Sequence, residues 1–177
     1  MIELVESLAG LPSKRRSLAA REVLFLTGDE IGNLHIVESG EIHLVRHGVA
    51  GAALVLQRAG RNGILAEASI FSRTYHCDAV AVVPSIVRAV PVEVVRRRLI
   101  DDPALARAWT THLAKEVQRA RLRAEVLVMR TVSERLSAWL SINGGQLPPK
   151  GSWKALAAEI GVSPEALYRE IGRRRTE

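Results

Sequence analysis

From residue 22 to about residue 92 the chain alternates short apolar, β-branched runs with turn residues. The runs cover residues 23–26, 35–37, 42–45, 54–56, 80–83 and 86–90, and the turn signals fall at Gly28 and Asp29, at Ser39 and Gly40, at 48–51 and at 60–63. Many short strands at regular spacing predict a closed antiparallel barrel or jelly roll. Ahead of it, residues 2–9 suit one short helix. Gly10, Pro12 and the basic run Lys14, Arg15 and Arg16 then break the pattern, so this stretch is read as a mobile or surface lead-in.

At Pro103 the period changes. Leu105, Trp109, Leu113, Val117, Ala120, Ala124 and Leu127 recur at steps of three and four, which predicts one apolar stripe on a long helix over 103–130. Such a seam is most simply buried against a second copy of itself, giving a homodimer interface; packing onto the chain's own barrel is the alternative. A further helix is expected over 131–142, with Leu136, Trp139 and Leu140 inward and Asn143, Gly144 and Gly145 ending it.

The stretch 152–173 has the punctuation of a helix-turn-helix. Ser152 is expected to cap a first helix carrying Leu156 and Ile160, and Gly161 supplies the left-handed residue that ends it. Ser163 restarts the chain with Pro164 at the first helical position, and Leu167 and Ile171 face inward with Val162. Glu165, Arg169 and Arg173 then form an outward stripe at i, i+4, i+8, with Tyr168 beside it. Arg grips guanine O6/N7 and Glu accepts from cytosine N4 in a major groove, so double-stranded DNA is the expected partner. The alternative is a solvated face of internal Glu–Arg pairs. The expected domains are a sensor barrel over 1–102, a dimerisation helix over 103–130 and a DNA-binding unit over 131–177.

Charge sharpens this division. The 177 residues carry a formal charge of +6, yet residues 1–104 hold 12 Lys/Arg against 12 Asp/Glu, whereas residues 105–177 hold 13 against 7. The excess lies in the helical half, which favours a polyanion there. The single cysteine, Cys77, excludes an intramolecular disulfide and any all-cysteine zinc or iron–sulfur site within one chain. Glu3 and Glu6 stand where a signal peptide would be positive, and no apolar run reaches membrane-spanning length, so a soluble cytoplasmic protein with no membrane partner is expected.

Barrel, long interfacial helix and helix-turn-helix, in that order, resemble the cyclic-AMP receptor protein/FNR family of bacterial transcription regulators over nearly the whole chain. The residues that carry the resemblance are 22–29 (EVLFLTGD), 36–42 (IVESGEI) with the turn glycine Gly40, and 66–71 (AEASIF), which is similar to the family's phosphate cassette. The resemblance implies an α+β fold, a homodimer on a palindromic site, a sensor barrel and a contact with RNA polymerase. It also implies that Glu165 and Arg169 contact bases, with Ser163, Tyr168, Arg173 and Arg174 as their neighbours on the DNA. The chain departs from the family in three places. Pro164 replaces the Arg that often precedes the Glu. Ala66 replaces the cassette glycine, and Cys77 and Asp78 stand where Arg and Ser would clamp a cyclic phosphate; a carboxylate there repels a phosphodiester. The family usually continues into a β-hairpin wing, whereas here the sequence closes with Arg173, Arg174, Arg175, Thr176 and Glu177, and the arginines are expected to take the wing's phosphate contacts.

Cyclic AMP and an iron–sulfur cluster are therefore not the expected effectors. The effector region is taken as Glu67, Ser69, Tyr75, His76, Cys77 and Asp78, where imidazole and thiolate offer ligands to a metal, haem or redox signal; a buried structural Cys77 beside a surface His76 is the alternative. No specific metal site is assigned. His43 and His47 share a strand face but do not reproduce the His-x-His…Glu spacing of a cupin metal site, so enzymatic activity is not expected. Two functions stand side by side: a dimeric transcription regulator, and a non-DNA-binding sensor or interaction protein on the same fold.

Overall fold

The computed structural model describes residues 2–47 and 53–176; the turn expected at 48–51 and the closing Glu177 lie outside them. The chain divides into two compact units, Met1–Leu113 and Ala114–Glu177.

In the first unit, helix α1 (Ile2–Ser7) precedes eight strands: β1 (Lys14–Leu18), β2 (Val23–Phe25), β3 (Asn33–Ser39), β4 (Ile42–His47), β5 (Ala53–Ala59), β6 (Ile64–Leu65), β7 (Asp78–Ala81) and β8 (Ser85–Pro91). They form two antiparallel four-stranded sheets, ordered β1-β8-β3-β6 and β2-β7-β4-β5. Leu34, Ile36, Ile42, Leu44, Ala79, Ala81, Val87 and Val90 from both sheets share one buried core. At the turn between β3 and β4, Gly40 has φ +85, and a Cβ there would overlap Ser85 Oγ and the Pro84 carbonyl, so only glycine fits.

The lead-in read as a mobile or surface segment lies on the surface but is ordered as strand β1, paired with β8 from Lys14↔Ala89 to Leu18↔Ser85. Only Leu18 of its five residues is buried, so no apolar alternation marked it; an edge strand with outward basic side chains is also protected from further pairing. Arg88 of β8, itself buried, donates from Nη1 to the Leu8 carbonyl at 2.9 Å and ties the end of α1 to the sheet. After β8, Val92 and Val95 turn inward on helix α2 (Val92–Asp101), which the strand pattern did not predict.

Asp102 Oδ1 then accepts from the Ala104 and Leu105 amides at 3.0 and 3.1 Å and caps helix α3 (Pro103–Val128). The apolar stripe of α3 is not one continuous seam. Leu105 and Trp109 are buried in the barrel's core and Leu113 packs against it, so these three are covered by their own unit; the assignment of Leu105 and Trp109 to an intermolecular interface is corrected. Val117, Ala120, Ala124 and Leu127 are exposed on the single chain.

The second unit adds α4 (Val132–Ile142), α5 (Trp153–Glu159) and α6 (Pro164–Thr176). Thr131 and Glu134 close a reciprocal capping box at the start of α4. Leu136, Trp153, Leu156, Ala157, Ile160, Leu167, Ile171 and Val126 form its core, with Trp139, Leu140 and Val162 packed alongside.

Candidate nucleic-acid interface and effector region

The helix-turn-helix is built as the turn residues require. Gly161 takes φ +67, and the Val162 amide donates to the Ala157 carbonyl at 2.9 Å. Ser163 Oγ accepts from the Ala166 amide at 3.2 Å and so caps α6, with Pro164 first in the helix. Ser152 does not cap α5. Lys150–Ser152 form a single 3-10 turn, and Ser152 at φ −94, ψ 0 runs straight into the helix without the extended conformation a side-chain cap needs.

On α6, Glu165 and Arg169 are exposed one turn apart in its N-terminal half. The Glu165 carboxyl is held below its ordinary value by its own backbone amide and by the Ser163 hydroxyl. Arg169 makes no hydrogen bond or ion pair among the described residues, and its attraction to Glu165 acts at longer range. Tyr168 is 36% exposed, its ring tilted against Trp153 at 5.3 Å between centroids. Trp153 is anchored in turn by Nε1 donating to the Pro148 carbonyl at 3.0 Å.

The closing arginines also make contacts within their own unit. Arg173 donates to Glu170 from Nε at 3.2 Å and from Nη2 at 2.9 Å. Arg174 donates from Nε to Glu170 Oε1 at 2.7 Å and from Nη2 to the Ser133 carbonyl at 2.7 Å, which ties α6 to α4. Arg175 stands 5.5 Å from the centre of the Trp153 ring. The sequence reading assigned Glu170 no role, because an acid beside an exposed basic stripe reads as one more surface residue; in the fold it is buried.

The residues of the effector region lie near one another but face different surroundings. Ala66 adopts φ +67 at the glycine position of the cassette, ahead of a 3-10 turn over Glu67–Ser69 whose Glu67 and Ser69 are buried. Gln57 Nε2 donates to Glu67 Oε1 at 3.4 Å, and Ser69 Oγ and His76 Nδ1 are 2.9 Å apart. Tyr75 points inward, stacked on Phe25 at 3.7 Å with its hydroxyl donating to the Asn33 carbonyl at 2.8 Å. Cys77 is buried, and burial pushes its thiol above the ordinary value; the pull of Arg46 is the smaller effect. Asp78 Oδ1 accepts from the Thr27 amide at 2.7 Å and its hydroxyl at 2.8 Å, and these bonds hold the carboxyl below the usual range.

In the segment leading into β7, Tyr75 and Cys77 are buried in the core while His76 is exposed. Among the described residues no three His, Cys, Asp or Glu side chains come together as metal ligands. The residues present therefore do not fit a multi-ligand metal site at this loop. Arg46 of β4, which the sequence did not single out, reaches the region by donating to the His76 carbonyl at 3.0 Å. His35 is buried beside Phe25, with ring centroids 5.6 Å apart, and burial lowers it to about 4.

Residues 15–102 match the family model of the cyclic nucleotide-binding domain. The chain is 24% identical to the global nitrogen regulator of Synechococcus elongatus, over 92% of this chain and 79% of that protein. Among solved structures, FixK2 from Bradyrhizobium japonicum superposes with a TM-score of 0.74 at 17% identity, covering 94% of this chain and 86% of that one. The c-di-GMP responsive global regulator CLP of Xanthomonas campestris superposes with a TM-score of 0.69 at 22% identity, covering 99% and 92%. The barrel thus matches a cyclic nucleotide-binding domain, and nearly the whole chain is similar to a global nitrogen regulator and shares its fold with FixK2 and CLP, a likeness that agrees with the resemblance to the cyclic-AMP receptor protein/FNR (Crp/Fnr) family.

Proposed function

We propose that the protein is a homodimeric, sequence-specific DNA-binding transcription regulator whose barrel responds to a signal other than a cyclic nucleotide. The carrying observation is the pair Glu165 and Arg169, exposed one turn apart on a helix whose start is fixed by Gly161, Ser163 and Pro164. Glu165 is held at the start of the helix by its own amide and the Ser163 hydroxyl, Arg169 makes no hydrogen bond or ion pair among the described residues, and the relatives include a global nitrogen regulator and a c-di-GMP responsive global regulator. Three units of the earlier division serve this reading: barrel as sensor, the later part of α3 as the dimer seam through Val117, Ala120, Ala124 and Leu127, and α4 to α6 as the DNA reader. RNA polymerase is the further partner such a regulator would contact, and the cytosol its compartment; no helix among the described residues is long and apolar enough to cross a membrane.

Against cyclic AMP stand Cys77, turned into the core, and Asp78, whose carboxylate is held ionised by Thr27; neither supplies the guanidinium that a cyclic phosphate needs. The pinned arginines at the end of α6 favour the second reading, a sensor or interaction protein that does not bind DNA. Selection of sites from random duplex DNA, followed by mobility shift at two salt concentrations, separates the two. A consensus with two half-sites supports the regulator; no retardation at low salt overturns it.

A further inference from the structure

Glu170 lies on the inner side of α6 with Leu167 and Ile171 and is 9% exposed. The guanidiniums of Arg173 and Arg174 hold its carboxyl down to about 2, so it is ionised throughout the physiological range. A buried carboxylate is costly unless paired, and a leucine of similar size would extend the apolar core at less expense. The last turn of a helix also needs no acid to accommodate arginines, because its dipole already favours cations. What the carboxylate does that leucine would not do is fix where two guanidiniums point.

Their directions are distinct. Arg174, with its side chain 27% exposed, turns inward and spends Nη2 on the Ser133 carbonyl, on Ser133 Oγ at 3.1 Å and on Ser137 Oγ at 2.8 Å. Arg173 remains half-exposed, yet two of its nitrogens are directed at Glu170 and Nη2 also lies 3.4 Å from Ser133 Oγ. Non-specific affinity for DNA is set by how many phosphates are neutralised, whereas discrimination comes from base edges. Guanidiniums that answer an internal carboxylate contribute little to the first term and leave the second untouched.

We propose that Glu170 is a specificity-determining positioning residue of the DNA-reading helix: it withholds the Arg173 and Arg174 guanidiniums from phosphates, so that binding rests on Glu165 and Arg169. This rests on the DNA-binding reading above. The test compares the full-length wild type with Glu170→Gln on the selected site and on random duplex, by fluorescence anisotropy from about 50 to 200 mM salt. The expected result for Glu170→Gln is several-fold tighter binding to random duplex at the lower salt. Its salt slope should steepen by about 0.9 for each phosphate gained, about 1.8 when each protomer of the dimer gains one, and the ratio of specific to random affinity should fall.

Adding Arg174→Gln to that variant should take back part of the slope. Should Glu170→Gln prove too unstable, Glu170→Leu keeps the buried position filled and carries the same expectation. A purely structural Glu170 would weaken binding to every sequence without steepening the slope, and that result overturns the proposal while leaving DNA binding intact. A wild type that binds no duplex at the lower salt overturns the DNA-binding reading and this inference with it.

Discussion

The Arg135 guanidinium donates from Nη1 to the Gly161 carbonyl at 2.7 Å, joining α4 to the turn of the helix-turn-helix. The same group reaches the Ile160 carbonyl at 3.1 Å, and, at the end of α3, the carbonyls of Met129 at 2.8 Å and Leu127 at 3.0 Å. Two helix C-termini thus share one cation, which their partial negative charge favours. A Cβ on Gly161 would meet Leu127 Cδ2 and come within 3.1 Å of Arg135 Nη1, so the turn has no room for a side chain. Arg135→Ala leaves four carbonyls without this donor and is expected to destabilise the helical unit by about 2–4 kcal/mol. Urea unfolding followed by fluorescence in a Trp109→Phe background reads this unit through Trp139 and Trp153. A loss below about 0.5 kcal/mol would mean water replaces the guanidinium at these carbonyls.

His35 predicts a pH dependence of the barrel. Among the described residues its Nδ1 has no hydrogen-bond partner, and burial lowers the imidazole from 6.5 to about 4. The unfolded chain therefore binds the proton first as pH falls, and the neutral folded form loses ground from the unfolded value downward. Stability should be full above pH 6.5 and decline by about 3 kcal/mol on approaching pH 4, with the slope confined to that window. The lowered carboxyls of Asp78 and Glu170 add to the loss from the acid end of this window downward, since their stability is present above the ordinary carboxyl range and lost as pH drops toward their folded values. His35→Leu should flatten the barrel's denaturation midpoint between pH 6.5 and 4. An unchanged slope in that variant assigns the effect to another group.

The antiparallel β architecture and the helix-turn-helix were legible because both are written in local signals. Gly40 and Gly161 need positive φ, Ser163 and Pro164 start a helix, and a period change at Pro103 separates barrel from helices. What stayed hidden depends on which side of an element meets the core. β1 was missed because its edge position buries Leu18 alone. Leu105 and Trp109 read as a seam for a second copy because periodicity shows that a stripe is covered and not by what. Tyr75 through Asp78 are neighbours in sequence but differ in burial, with Tyr75 and Cys77 inside and His76 out, and Glu170, which drew no reading, is covered by two arginines only in the fold.

The dimer proposal now has a sharper probe. Leu113 packs against its own barrel, so a charge there would disturb folding and association together. Val117, 49% exposed, carries no such ambiguity. Val117→Asp should leave the melting of the barrel unchanged and shift the protein from dimer to monomer at micromolar concentration in sedimentation velocity, because like charges meet in a self-complementary interface. A wild type that sediments as a monomer removes the interface, and a dimeric Val117→Asp moves it elsewhere.

Base reading is the prediction on which the function turns. Arg169 is exposed on the same face as Glu165 and is free of partners among the described residues, whereas Arg173 and Arg174 are held by Glu170. A guanidinium that meets guanine O6/N7 carries sequence information, and one that meets phosphate does not. Arg169→Ala should therefore cost about 1–3 kcal/mol on the selected site, relax the preference at one position in each half-site, and leave random-duplex affinity close to the parent's. Glu165→Ala should relax a neighbouring position. Sites selected from random DNA with each variant, beside a salt titration, decide the matter. If Arg169→Ala returns the parental consensus and only makes the salt slope shallower, then α6 meets the backbone rather than the groove, and the bases are read by another element.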